Sequence, residues 1–140
     1  MLLLDRRFRI AVFLAAALII LWFSLDPAPP VPDLDMPLAD KVEHFAAYAL
    51  LAFLGGWALA RDVDTWERSW RWGAIFAVLY GALLEILQMT LTRVRMAEWG
   101  DLAADLLGAL CVYLLVRLGV FLRRRREATV DELQQDDDYQ

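Results

Sequence analysis

Long apolar runs alternate with short polar connections along this chain, and four of the runs have the length of a membrane-crossing helix. They extend over about Ile10–Leu25, Ala39–Ala60, Gly73–Leu91 and Leu102–Leu122. About 20 residues of helix cross the roughly 30 Å of bilayer hydrocarbon, and a lipid-exposed backbone must satisfy its own hydrogen bonds. The pattern predicts an all-α, polytopic membrane protein: four transmembrane helices in a compact bundle. One domain over residues 1–126 is expected to hold all four. Residues 127–140 lack apolar periodicity and end in Asp136-Asp137-Asp138-Tyr139-Gln140, which predicts a disordered acidic tail.

The connections differ in character. From Asp26 to Pro37 the chain is rich in proline and predicts a stiff, polyproline-like crossing over the surface. Asp62 to Arg71 predicts a polar loop, with Trp66, Trp70 and Trp72 as interfacial anchors. The first apolar run follows basic residues, as a signal peptide would. It continues through Trp22-Phe23-Ser24-Leu25-Asp26-Pro27 without a small-x-small cleavage site, so an uncleaved anchor is expected.

Composition supports the membrane reading, since 60% of the residues are hydrophobic and roughly 45–50% is usual for soluble domains. The formal net charge of -5 is segregated into the connections and ends. Arg6, Arg7 and Arg9 precede the first run, Arg61, Arg68 and Arg71 separate the second from the third, and Arg123–Arg126 follow the fourth. The opposite side holds only Lys41, Arg93 and Arg95. The positive-inside rule then places both termini in the cytoplasm and the protein in the inner (cytoplasmic) membrane. Arg123–Arg126 is expected to touch anionic membrane lipids; it is too short and too close to the bilayer to suggest nucleic acid. Cys111, the one cysteine, lies in an apolar run and reads as a packing residue.

Charged groups inside the runs stand out against this background. Asp40, His44 and Tyr48 fall on one helical stripe with Lys41 beside it, Glu85 and Gln88 share a face, and Asp101 and Asp105 stand one turn apart. With the predicted orientation, Tyr48, Glu85 and Asp105 lie roughly 6–12 Å from the outer ends of their helices. Gly73, Ala77 and Gly81 form a small-residue stripe leading to Glu85, and Ala104 and Gly108 flank Asp105. Such stripes let helix backbones meet, so Glu85 is expected in a helix seam. Asp101 also has a plain reading as an N-cap.

The segments D-K-x-x-H-x-x-x-Y (Asp40–Tyr48), G-x-x-x-E-x-x-Q (Gly81–Gln88) and R-x-x-x-x-x-D-x-x-x-D-x-x-G (Arg95–Gly108) resemble the VanZ-like family of small bacterial membrane proteins. The resemblance covers about Asp40 to Leu115. It departs from the family pattern at Asp105, where Asn is usual. It implies a cell-envelope protein related to glycopeptide (teicoplanin) resistance and assigns no reaction.

A hydrogen bond between membrane helices contributes only about 0.6 kcal/mol, against about 2.5–3.5 kcal/mol for inserting an Asp near mid-bilayer. That imbalance favours a polar pocket with a function over a packing device. Three readings stand open. In the first, His44 or Glu85, the catalytic candidates, transfers protons on a lipid-linked envelope precursor. Arg95 would hold its anionic headgroup, and Tyr48 and Gln88 would orient it. In the second, Asp40, Lys41, Tyr48, Gln88, Arg95, Asp101 and Asp105 line a non-catalytic site for a lipid or an amphiphilic antibiotic. In the third, the chain is an accessory subunit docking a partner membrane protein. No cofactor signature is present, and one histidine without an H-x-x-H spacing argues against a metal.

Overall fold

The computed structural model describes residues 5–26, 38–61, 65–91 and 99–138. These residues form four helices and no strand: α1 (Arg6–Leu25), α2 (Ala39–Leu59), α3 (Trp66–Leu91) and α4 (Trp99–Asp138). Each helix is long and apolar enough to cross a membrane. The proline-rich connection from 27 to 37, and Arg93 and Arg95, lie outside the described residues.

Two helices run further than the apolar pattern predicts. α3 begins at Trp66, taking in most of the expected polar loop, and Ser69 Oγ donates to the Thr65 carbonyl at its first turn. α4 continues to Asp138, so residues 127–138 are helical where an irregular tail was expected. Loss of apolar character ends a span but not a helix. Glu, Arg, Ala and Gln are good helix formers, and Arg123 Nε bonds Glu127 Oε1 at 2.7 Å one turn along.

α2 is the hub, packing against all three other helices, while α1 reaches only α2 and α3. Neighbours in the chain run antiparallel. Arg9, early in α1, meets the end of α2, Gly55 near the end of α2 lies against Gly73 early in α3, and the starts of α2 and α4 share one end. The interior is built from small residues and Leu51, Tyr48, Trp70 and Leu84, whereas Leu18, Leu79, Ile86 and Leu115 face outward.

Close approach of backbones explains the small interior. A Cβ on Gly73 would collide with the backbone nitrogen of Gly56 and lie 2.7 Å from the Ala52 carbonyl oxygen. A Cβ on Gly108 would strike the Phe45 carbonyl oxygen and lie 3.0 Å from the Ala49 nitrogen. These contacts lock α2 against α3 at one end and against α4 towards the other. Trp70 is part of this packing. It is buried over Gly56, so it is a core residue and not the interfacial anchor expected of it; Trp72 is exposed.

Three side chains fasten α1. Arg9 is buried and donates to the Trp57 and Ala60 carbonyls at 2.6 and 2.8 Å, satisfying acceptors left open at the end of α2. Tyr80 donates to the Ala17 carbonyl at 2.7 Å, and Gln88 to that of Ser24 at 3.0 Å. Arg9→Met keeps the aliphatic bulk but loses the charged donor. It is expected to destabilise the bundle by about 1.5–3 kcal/mol, read as a lower midpoint in detergent unfolding, with faster proteolysis between α1 and α2. An unchanged midpoint would show that Arg9 does not hold α1.

Candidate functional site

The polar residues singled out by the sequence collect at the end of the bundle where α2 and α4 begin and α1 and α3 finish. α2 brings Lys41, His44 and Tyr48, α3 brings Glu85 and Gln88, and α4 brings Asp101 and Asp105. The stripe of Gly73, Ala77, Gly81 and Glu85 is buried throughout, so Glu85 does lie in a helix seam.

His44 is the centre of the cluster. Its Nδ1 meets Asp105 Oδ1 at 2.9 Å, and its Nε2 lies 3.8 Å from Asp101 Oδ2. Asp105 is completely buried, at 0% exposure, while His44 is half-buried. Glu85 is buried at 8% exposure, and its carboxylate stands with His44 and Asp105 in a group whose donor atoms lie within 4.8 Å of one another. Two carboxylates from different helices thus face one imidazole in a low-dielectric interior, where charge interactions are strong.

Room for the second carboxylate comes from Gly81. A Cβ there would lie 2.5 Å from Asp105 Oδ2 and 2.9 Å from Tyr48 Cε1. Tyr48 is buried beneath the imidazole, with its ring stacked on that of His44 at 6.2 Å between centroids and 14° between planes. Tyr48 therefore forms the floor of the cluster and fixes the plane of the imidazole.

Lys41 guards the outer edge. Its Nζ bonds Asp101 Oδ1 at 2.5 Å and Asp40 Oδ2 at 2.7 Å. Asp40 is exposed and stands outside the buried group. Asp101 lies inside the first turn of α4, which begins at Trp99, so its role is a bridge to α2 and not the N-cap it resembled. Its negative charge still suits the start of a helix. Gln88 is turned towards α1, and Arg95 lies outside the described residues.

Arg9, Tyr80 and Arg117 carry polar contacts that the sequence reading did not assign. Arg117 lies within the fourth apolar run, pairs with Glu67 of α3 at 3.3 Å and sits 6.0 Å over the Tyr113 ring. A charged residue inside an apolar run was the available signal for Arg117. All three sit outside the cluster and hold helices together.

No protein-family model, curated protein or solved structure matches the chain. Chemically, the cluster can share or move a proton between an imidazole and two carboxylates, and it can present a basic group, Lys41, at its rim.

Proposed function

We propose that the chain is a VanZ-like multi-pass protein of the bacterial inner membrane, with cytoplasmic termini and the polar cluster in the outer half of the bundle. There it binds or modifies the headgroup of a lipid-linked envelope substrate, in a process related to glycopeptide (teicoplanin) tolerance. The observation that carries this reading is the meeting of His44, Asp105 and Glu85 from three helices at one end. Three ionisable groups in an apolar bundle are costly to maintain for packing alone. Orientation is supported by the arginine asymmetry, and bilayer residence by the outward-facing leucines, which would form a large exposed apolar surface in water.

In this reading His44 and Glu85 handle protons, Asp105 orients the imidazole, and Lys41 and Arg95 meet the anionic headgroup. A second reading, an accessory subunit with a structural seam, is favoured by two contacts: Lys41 is engaged by Asp101, and Gln88 by the end of α1.

The test joins topology to phenotype. Reporters after Gln140 and within 62–71 should read cytoplasm, and one within 26–37 the outside. Glu85→Gln should insert and fold normally yet lose tolerance to a glycopeptide or another envelope stress. The functional-pocket reading fails if Glu85→Gln and His44→Gln both keep full tolerance at normal expression; the accessory-subunit reading then leads.

A further inference from the structure

We propose that His44, Glu85 and Asp105 form a binding site for one divalent transition-metal ion of the zinc or manganese class. The proposal uses the same cluster as the reading above, but it rests on donor geometry and not on the identity of any substrate.

Each of the three helices around the seam contributes one donor: α2 the imidazole, α3 one carboxylate and α4 the other. These donor atoms lie within 4.8 Å of one another. Ligands held about 2.0–2.2 Å from a tetrahedral metal stand roughly 3.4 Å apart. Closure therefore needs a contraction of at most about 1.4 Å at the widest pair, within reach of the long Glu85 side chain.

Asp105 supplies the independent observation. Its side chain is 1% exposed, and while Oδ1 is engaged by His44, Oδ2 is buried with no hydrogen-bond partner among the described residues. A buried carboxylate oxygen without a donor is costly, and native structures rarely leave one. This oxygen points at Gly81, the position where any side chain would crowd it. Gly81 lets the carboxylate pack closely against α3, and a cation would give Oδ2 the partner that it lacks among the described residues.

The two nitrogens of His44 are placed for opposite tasks. Nδ1 faces Asp105 and the interior, and Nε2 faces Asp101 at 3.8 Å, while Lys41 holds Asp101 in place. Metal-binding histidines commonly donate their remote N–H to a carboxylate, which fixes the tautomer and the ring orientation. Stacking on Tyr48 restrains the same ring. Asp101 and Lys41 thereby act as positioning residues behind the imidazole.

One divalent ion matches the charge of two carboxylate ligands and takes a neutral imidazole as the third. A single nitrogen with two carboxylate oxygens suits zinc or manganese better than copper(I), which prefers thiolates. Three protein ligands also leave a position for water or an anionic headgroup oxygen, as in catalytic metal sites.

The experiment uses the full chain in detergent or nanodiscs, purified through a tag without histidines and stripped with EDTA. Zinc and manganese are then titrated separately, with magnesium as the hard-cation comparison, and bound metal is counted by mass spectrometry alongside the unfolding midpoint. The expected result is one zinc or manganese ion per chain with micromolar or tighter affinity and a raised midpoint. Asp105→Asn keeps the side-chain shape and Glu85→Gln keeps its length; each should lose at least about tenfold in affinity. Glu67→Gln, a change outside the cluster, should bind as wild type. Absence of zinc and manganese binding by the wild-type chain overturns the proposal, even where a variant fails to fold. Equal binding by wild type and Asp105→Asn overturns it too, as does binding of magnesium alone. None of these outcomes alters the tolerance phenotype of Glu85→Gln, so failure of the metal site and failure of the functional-pocket reading are separately visible.

Discussion

His44→Leu should destabilise the metal-free bundle by about 3–5 kcal/mol, the range for breaking a buried charge pair by removing one partner. Asp105 is the reason. Its carboxylate is at 0% exposure, Oδ1 is engaged by Nδ1 of His44 at 2.9 Å, and Oδ2 has no hydrogen-bond partner among the described residues. Leucine in place of the imidazole leaves both oxygens in an apolar seam without that donor. Asp105→Leu should cost less, because the half-buried His44 retains Asp101 beside Nε2 and some access to water. The double variant His44→Leu/Asp105→Leu should recover much of the loss, since replacing both partners with apolar groups leaves nothing stranded. A double-mutant cycle on unfolding in detergent with EDTA present measures this directly. Additive single effects would show that the two residues do not compensate each other and would remove the basis for treating them as one unit.

Gly73→Val is the packing counterpart, and its effect should rival that of His44→Leu. A Cβ on Gly73 would meet the backbone of α2 at Gly56 nitrogen, at Ala52 oxygen (2.7 Å) and at Gly55 carbon (2.9 Å). No rotamer change can relieve a clash with backbone, so α2 and α3 must separate. Overpacking typically costs about 1–3 kcal/mol and occasionally more, and this site belongs at the upper end because a whole helix must shift. Gly73→Ala should fall between wild type and valine. The control is Gly119→Val on α4, where an added Cβ meets nothing within 4 Å. Its effect should stay within a few tenths of a kcal/mol, as glycine and valine are both weak helix formers. Disulfide trapping between cysteines placed on facing positions of α2 and α3 would report the separation. Equal trapping in wild type and Gly73→Val, with equal unfolding midpoints, would show that the crossing tolerates the extra carbon.

How far the sequence can be read is clearest at particular residues. The small stripe leading to Glu85 was legible because burial along one face of a helix repeats every three to four residues. The start of α3 and the end of α4 were not, because polarity marks where a helix leaves the hydrocarbon and not where its hydrogen bonding stops. Trp70 looked like its neighbours Trp66 and Trp72 in composition, yet Gly56 opposite it makes the space that buries its ring. Arg9 resembled an orientation signal like Arg6 and Arg7, and only the position of the end of α2 shows that it donates to the Trp57 and Ala60 carbonyls.

The same division runs through the cluster. Helix number, helix type and the faces that carry His44, Glu85 and Asp105 follow from local rules: the length needed to cross a bilayer and the 3.6-residue repeat. Those rules place each group on its own helix and say nothing about which group it meets. His44 and Asp105 are 61 residues apart, and their contact depends on how α2 and α4 are rotated and how closely they approach. Gly108 sets that approach by admitting the Phe45 carbonyl, and Gly73 sets the corresponding one between α2 and α3. Periodicity along one chain segment defines a face, but the partner of that face is a property of two backbones in contact, and only the assembled bundle specifies it.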